Sequence, residues 1–227
     1  LYEPGRDARG ALCVGLPLAE ERKGCVRVVH ELGVTLAGSG WRTLVFDYAG
    51  TGESPGSFRD LTWASLVADA QAALAWLRER AQGPTVVLGI RAGARVMLEA
   101  ASADTAQAAL LWAPVLDPGL WLRDLRRRSR FRGTGAQAPA NGGWDVDGYL
   151  FSDRLCADLE GLGPRTDALD LPCALVHIGR PSPGSPPGCA ADRTVHLATP
   201  GFWLETEVVD SAPLVRASEH LLEKLVS

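Results

Sequence analysis

The sequence predicts an α/β domain built on a mostly parallel sheet with helices on both faces. Three observations lead there. Six short runs are apolar throughout rather than alternating: ALCVGL (11–16), RTLVFD (42–47), TVVLGI (85–90), AALLWA (108–113), CALVHI (173–178) and TVHLA (194–198). Strands covered on both faces read this way. Segments of helical spacing separate these runs, and no internal repeat is present. Strand and helix in alternation imply parallel crossovers.

The elements follow in order. Val26, Val29, Leu32, Val34 and Leu36 predict a first helix that ends at the GSG of residues 38–40, where glycine can take left-handed geometry. Leu66, Ala70, Ala73, Leu74 and Leu77 share one face of a second helix, with Asp69, Arg78 and Glu79 turned away. A last helix is expected over 213–226. Two stretches break the alternation. Residues 117–170 form an insertion with an arginine-rich helix, a Gly/Ala/Pro-rich linker and a second helix around 147–162, expected to cap a pocket above the sheet. Residues 179–188, GRPSPGSPPG, forbid regular structure and are expected to be exposed and mobile. The chain reads as one domain over 1–227 with the cap included.

Composition narrows the partners. A formal net charge of −4 gives no reason to expect nucleic acid, and no apolar run approaches the roughly 20 residues of a membrane span. The five cysteines (Cys13, Cys25, Cys156, Cys173, Cys189) form no C-x-x-C pair and read as reduced, buried thiols of a cytoplasmic protein. The four histidines (His30, His177, His196, His220) lie far apart with no ligand spacing, so neither a metal nor a cofactor is expected. The chain starts at Leu1 rather than Met, which suggests that an N-terminal piece has been trimmed or omitted.

FDYAGTGESPGSF (46–58) resembles the F-D-x-x-G-x-G-x-S segment of the α/β-hydrolase superfamily, and LGIRAGARV (88–96) resembles its nucleophile elbow, Gly-x-Nuc-x-Gly. More narrowly, the chain is similar to the exosortase A system-associated hydrolases of the second type, bacterial proteins encoded beside exopolysaccharide and protein-sorting genes. The pieces that carry this are LPLAEERK (16–23), DYAGTGES (47–54), LGIRAGARV, LLWAPVLDPGLWL (110–122), DGYLFSDRL (147–155) and PGFWL (200–204). The resemblance implies the α/β-hydrolase fold with a cap, and architecture more than activity.

Such a fold needs a nucleophile at the elbow, an acid after a late strand and a histidine after the last one. The nucleophile place holds Arg91, whose guanidinium stays protonated and cannot attack a carbonyl. No carboxylate occurs in 180–183, where the acid belongs; Asp117 is an alternative acid and Asp192 a weaker one. Phe202 or Trp203 stands where the histidine belongs. Nucleophile and base are missing together, which points away from serine chemistry.

Arg91 then has two readings. The N–H groups of Ala92 and Leu18 are the expected oxyanion donors, and with the Arg91 side chain they would hold a carboxylate or phosphate. Alternatively Glu20, Glu21 or Asp117 neutralises Arg91 from within, since an unpaired buried charge is costly. An ester or thioester hydrolase or acyltransferase with a non-standard catalytic set is the remaining option. Trp112, Trp121, Trp144, Tyr149, Phe151, Phe202 and Trp203 either pack the cap or line a pocket for an acyl or sugar-like ligand. The run RDLRRRSRFRG (123–133) is a solvated cap helix or a docking face for an acidic surface, whether a protein partner, a polysaccharide or lipid headgroups. His177 reads as a hydrogen-bonded core residue, and Asp47 with its glycines as a brace for the turn beside the elbow.

Overall fold

The computed structural model describes residues 1–5, 7–132, 142–167, 170–179, 189–203 and 209–227. The strands are β1 (Gly10–Gly15), β2 (Trp41–Phe46), β3 (Thr85–Ile90), β4 (Ala108–Trp112), β5 (Trp144–Val146), β6 (Tyr149–Phe151), β7 (Cys173–Ile178) and β8 (Cys189–Leu197). The helices are α1 (Glu20–Gly38), α2 (Trp63–Arg78), α3 (Ala92–Ala100), α4 (Pro118–Arg132), α5 (Asp153–Gly161) and α6 (Ala212–Val226). Six strands pair in the order β2-β1-β3-β4-β7-β8, all parallel, and β5 and β6 form a separate antiparallel hairpin. The sheet has the predicted character, and its inner strands are buried end to end.

Alternate residues of each strand enter opposite cores. Cys13, Val87, Leu111 and Leu175 pack toward Leu66, Leu74, Val96 and the cap. Leu12, Leu88, Leu110 and Val176 pack toward Val29, Leu32, Leu214 and Leu221. Local chemistry sets the helix starts: Thr62 and Ser65 close a reciprocal capping box on α2, Ser152 caps α5, and a proline opens α6. No described helix is long and apolar enough to cross a membrane.

Three expectations need correction. Val26 and Val34 are half-exposed on α1, whose buried stripe is Cys25, Val28, Val29, Leu32 and Leu36; the apolar count there exceeded the arc that one face can bury. The helix expected over 147–162 is the β5–β6 hairpin followed by the shorter α5. Asp147 (φ 53°) and Gly148 (φ 86°) turn that hairpin, and left-handed geometry at both central residues suits a tight two-residue turn. Finally, Cys173 and Cys189 are joined by a disulfide, with Cα atoms 5.0 Å apart. They start neighbouring parallel strands in register, within ordinary bridging distance. Cys13, Cys25 and Cys156 are free and buried.

Residues 180–188 lie outside the described residues, so the expectations for that loop, including the place of the late acid, are not addressed by the structure.

Candidate functional site

The chain leaves β1 toward β2 on one side, then returns to β3 and proceeds the other way. The strand order therefore reverses between β1 and β3, and the loops leaving their C-terminal ends must part there. In open parallel sheets this crevice is where ligands and chemistry collect. Arg91 follows β3 and Glu21 follows β1, so both stand at it.

Arg91 occupies an elbow in full geometric detail. It is the residue before α3, with φ 53° and ψ −125°, a left-handed conformation that costs a non-glycine residue about 1–3 kcal/mol. Its N–H donates to the Trp112 carbonyl at 3.0 Å, and its own carbonyl accepts from Val115 and Ala94 at 3.0 and 3.1 Å. The flanking glycines are needed for close packing. A β-carbon on Gly89 would collide with Ala94, and one on Gly93 with the Gly15 and Leu16 carbonyl oxygens. Ala19 (φ 55°) and Ala113 (φ 40°), after β1 and β4, are left-handed too. Backbone strain thus gathers around this one edge of the sheet.

The side chain of Arg91 is spoken for. Its Nε and one terminal nitrogen donate to the two carboxylate oxygens of Glu21, at 3.2 and 3.4 Å. The other terminal nitrogen donates to the Ala113 carbonyl at 3.1 Å. Trp203 covers the guanidinium, with its ring centroid 4.6 Å from the central carbon, a cation–π arrangement. Glu21 is 3% exposed. It accepts further from the Trp121 indole N–H at 3.3 Å and from Arg128 at 3.5 Å, both on α4 of the cap. One carboxylate in the first turn of α1, where the helix dipole favours a negative charge, therefore holds the elbow and the cap together.

The other candidates divide. Ala92 and Leu18 are buried. Glu20, one residue from Glu21, turns outward to Lys23 at 2.7 Å and leaves the site. Asp117 accepts from the Leu120 N–H at 2.8 Å, so its carboxylate serves the start of α4. Trp112 is fully buried on the opposite side of the sheet, donating to Ser218 on α6 at 2.9 Å. Phe202 joins it there, edge-on at 6.1 Å, while the adjacent Trp203 reaches Arg91. Asp192 is exposed in β8. Asp47 accepts from Arg22 at 2.7 Å and from the Glu53 N–H at 3.0 Å, bracing the turn as expected.

Arg128 and Trp121 join the elbow through Glu21, a partnership the sequence signals only by their i, i+7 spacing on a helix with an apolar side. His177 is buried but stacks on His196 at 4.4 Å, in register across β7 and β8. Burial, and secondarily the neighbouring imidazole, lowers its pKa. Burial also pushes the Cys13 thiol up to about 12, which leaves it protonated and a poor nucleophile. Among the described residues no cluster of three or more His, Cys, Asp and Glu could hold a metal ion.

A metagenome-derived structure from the lipolytic enzymes LipS and LipT superimposes with a TM-score of 0.64, at 17% identity, over 99% of this chain and 96% of that one. Est1E from Butyrivibrio proteoclasticus, solved with ferulic acid, gives 0.66 at 14% identity, over 97% and 90%. The tomato methylketone synthase I, solved with 2-tridecanone, gives 0.66 at 8% identity, over 97% and 99%. This is the α/β-hydrolase fold. No family model matches the chain, and no curated protein is significantly similar to it.

Proposed function

We propose that the chain is a non-catalytic α/β-hydrolase homologue that works by binding, its former catalytic crevice closed by its own side chains. The observation that supports this is the Arg91–Glu21 pair under Trp203. A protonated guanidinium with a bidentate carboxylate can neither attack a carbonyl nor activate water, and an indole has no basic nitrogen to replace the histidine. The resemblance of the ordered motifs to exosortase-associated hydrolases favours a bacterial exopolysaccharide or protein-sorting setting.

A second reading keeps the crevice as an anion site. Arg91 and Arg128 both converge on the single carboxylate of Glu21, so the cluster holds one positive charge in excess. A small carboxylate or phosphate would balance it if the cap lifted.

A panel of short acyl esters and thioesters, with fluorophosphonate labelling, tests the main reading. Neither turnover nor labelling is expected. Turnover that survives purification and disappears in Asp117→Ala would instead establish a hydrolase with a non-standard catalytic set, as the names of the structural neighbours would suggest. Isothermal titration with inorganic phosphate and acetate tests the second reading; heat that is lost in Arg91→Ala supports it, and no heat removes it.

A further inference from the structure

The helix α4 contributes Trp121 and Arg128 to the crevice, but its outer side is unused by that site. Trp121, Leu122, Leu125 and Ser129 are buried. Leu120, Arg123, Arg127 and Arg130 fall at i, i+3, i+7 and i+10, which places them along one face of the helix. All four are exposed: Leu120 at 51% and the Arg127 side chain at 69%. Arg123 has no hydrogen-bond or ion-pair partner among the described residues, and Arg127 meets only Asp124, at 3.4 Å. Arg130 lies over the Trp144 ring at 5.1 Å, so an amphipathic indole borders the row.

The remaining arginines behave differently. Arg126 pairs with Glu160 at 2.5 Å and Arg128 with Glu21. Of these arginines, Arg126 and Arg128 are thus held by the fold, while Arg123, Arg127 and Arg130 are displayed. The helix carries six arginines and one aspartate in a chain of net charge −4, so this is a local departure from the overall balance. Leu120 to Arg130 spans roughly 15 Å at the α-helical rise.

We propose that this face of α4 docks on an anionic lipid bilayer surface. A straight cationic row bounded by an exposed leucine and a tryptophan matches a planar charged interface, where apolar side chains enter shallowly and arginines meet phosphate groups. The proposal rests on α4 alone and is independent of whether the elbow catalyses anything.

Flotation of the full chain with vesicles tests it. Binding is expected to equal parts phosphatidylcholine and phosphatidylglycerol at low salt, absent on phosphatidylcholine alone, and lost as salt screens the charges. Each arginine near such a surface is worth about a fivefold change in affinity. Combined Arg123→Gln, Arg127→Gln and Arg130→Gln should therefore weaken binding about 100-fold, whereas three Arg→Lys changes should preserve most of it. Leu120→Ser should weaken it further without changing the salt slope. Failure to bind anionic vesicles at low salt would overturn the proposal, as would a triple glutamine variant that binds like the parent. Retention on heparin or an acidic protein through the same arginines, with vesicles ignored, would also overturn it and assign the row to a different partner.

Discussion

Removing the carboxylate of Glu21 is the sharpest perturbation of the crevice. Glu21→Ala strands two guanidiniums and an indole N–H that converge on a group 3% exposed. Breaking one side of a buried ion pair costs about 3–5 kcal/mol. The contacts here run from 3.2 to 3.5 Å, and the Arg91 and Arg128 side chains are 18% and 30% exposed. Water can reach both cations, which places the cost at the low end, about 3 kcal/mol. For 227 residues, an unfolding entropy of about 2.1 cal/mol/K per residue converts each kcal/mol into roughly 2 °C. A drop of about 6 °C in thermal midpoint is thus expected by calorimetry, with a matching fall in urea midpoint. Glu21→Gln, which keeps an acceptor, should lose about 1–3 kcal/mol. The combination Glu21→Leu with Arg91→Met should recover part of the loss, since paired charges exchanged for apolar groups are often tolerated. A midpoint for Glu21→Ala within about 1 °C of the parent would refute the reasoning, because a true hub cannot be removed so cheaply. Strict additivity of Glu21→Ala and Arg91→Ala would refute the coupling between them.

Two further outcomes follow from the late strands. The pKa of His177 is depressed below 6.5 by burial and by the stacked His196, so the unfolded chain takes up its proton first as pH falls. Its contribution to stability is complete above pH 6.5 and is lost as pH drops through the folded value; urea midpoints measured across this range should fall, and more shallowly in His177→Gln. The Cys173–Cys189 bridge closes a segment of 16 residues, worth about 3 kcal/mol by chain entropy. Dithiothreitol should lower the thermal midpoint by several degrees, and thiol titration of the denatured, unreduced chain should count three free cysteines; five would remove the bridge.

What was readable in the sequence is what is local. The four inner strands are apolar runs because each is covered on both faces, whereas the edge strands β2 and β8 are partly exposed, against the expectation that they too would be covered. The elbow is visible because Gly89 and Gly93 are demanded by contacts within a few residues or with the adjacent strand. The hairpin at Asp147–Gly148 was masked by neighbours whose apolar spacing also suits a helix. The disulfide joins cysteines at the starts of two strands, and only the pairing of β7 with β8 sets them opposite each other.

The crevice was half legible for a similar reason. Glu20 and Glu21 are equivalent as letters, yet a turn of about 100° along α1 sends one to Lys23 and the other to Arg91. Arg128 sits inside a run whose average character is solvated, and only its position seven residues after Trp121 turns it inward. Arg91 and Trp203, by contrast, stand out in the sequence because the resemblance to α/β-hydrolases leads one to expect a nucleophile and a histidine there. The structure couples these two residues: Trp203 covers Arg91, Arg91 pairs with Glu21, and Glu21 holds Trp121 of α4. Arg91→Ser would therefore leave the Glu21 carboxylate to Arg128 and the Trp121 indole N–H. The stability of this crevice therefore depends on a set of residues that act together rather than on any one of them.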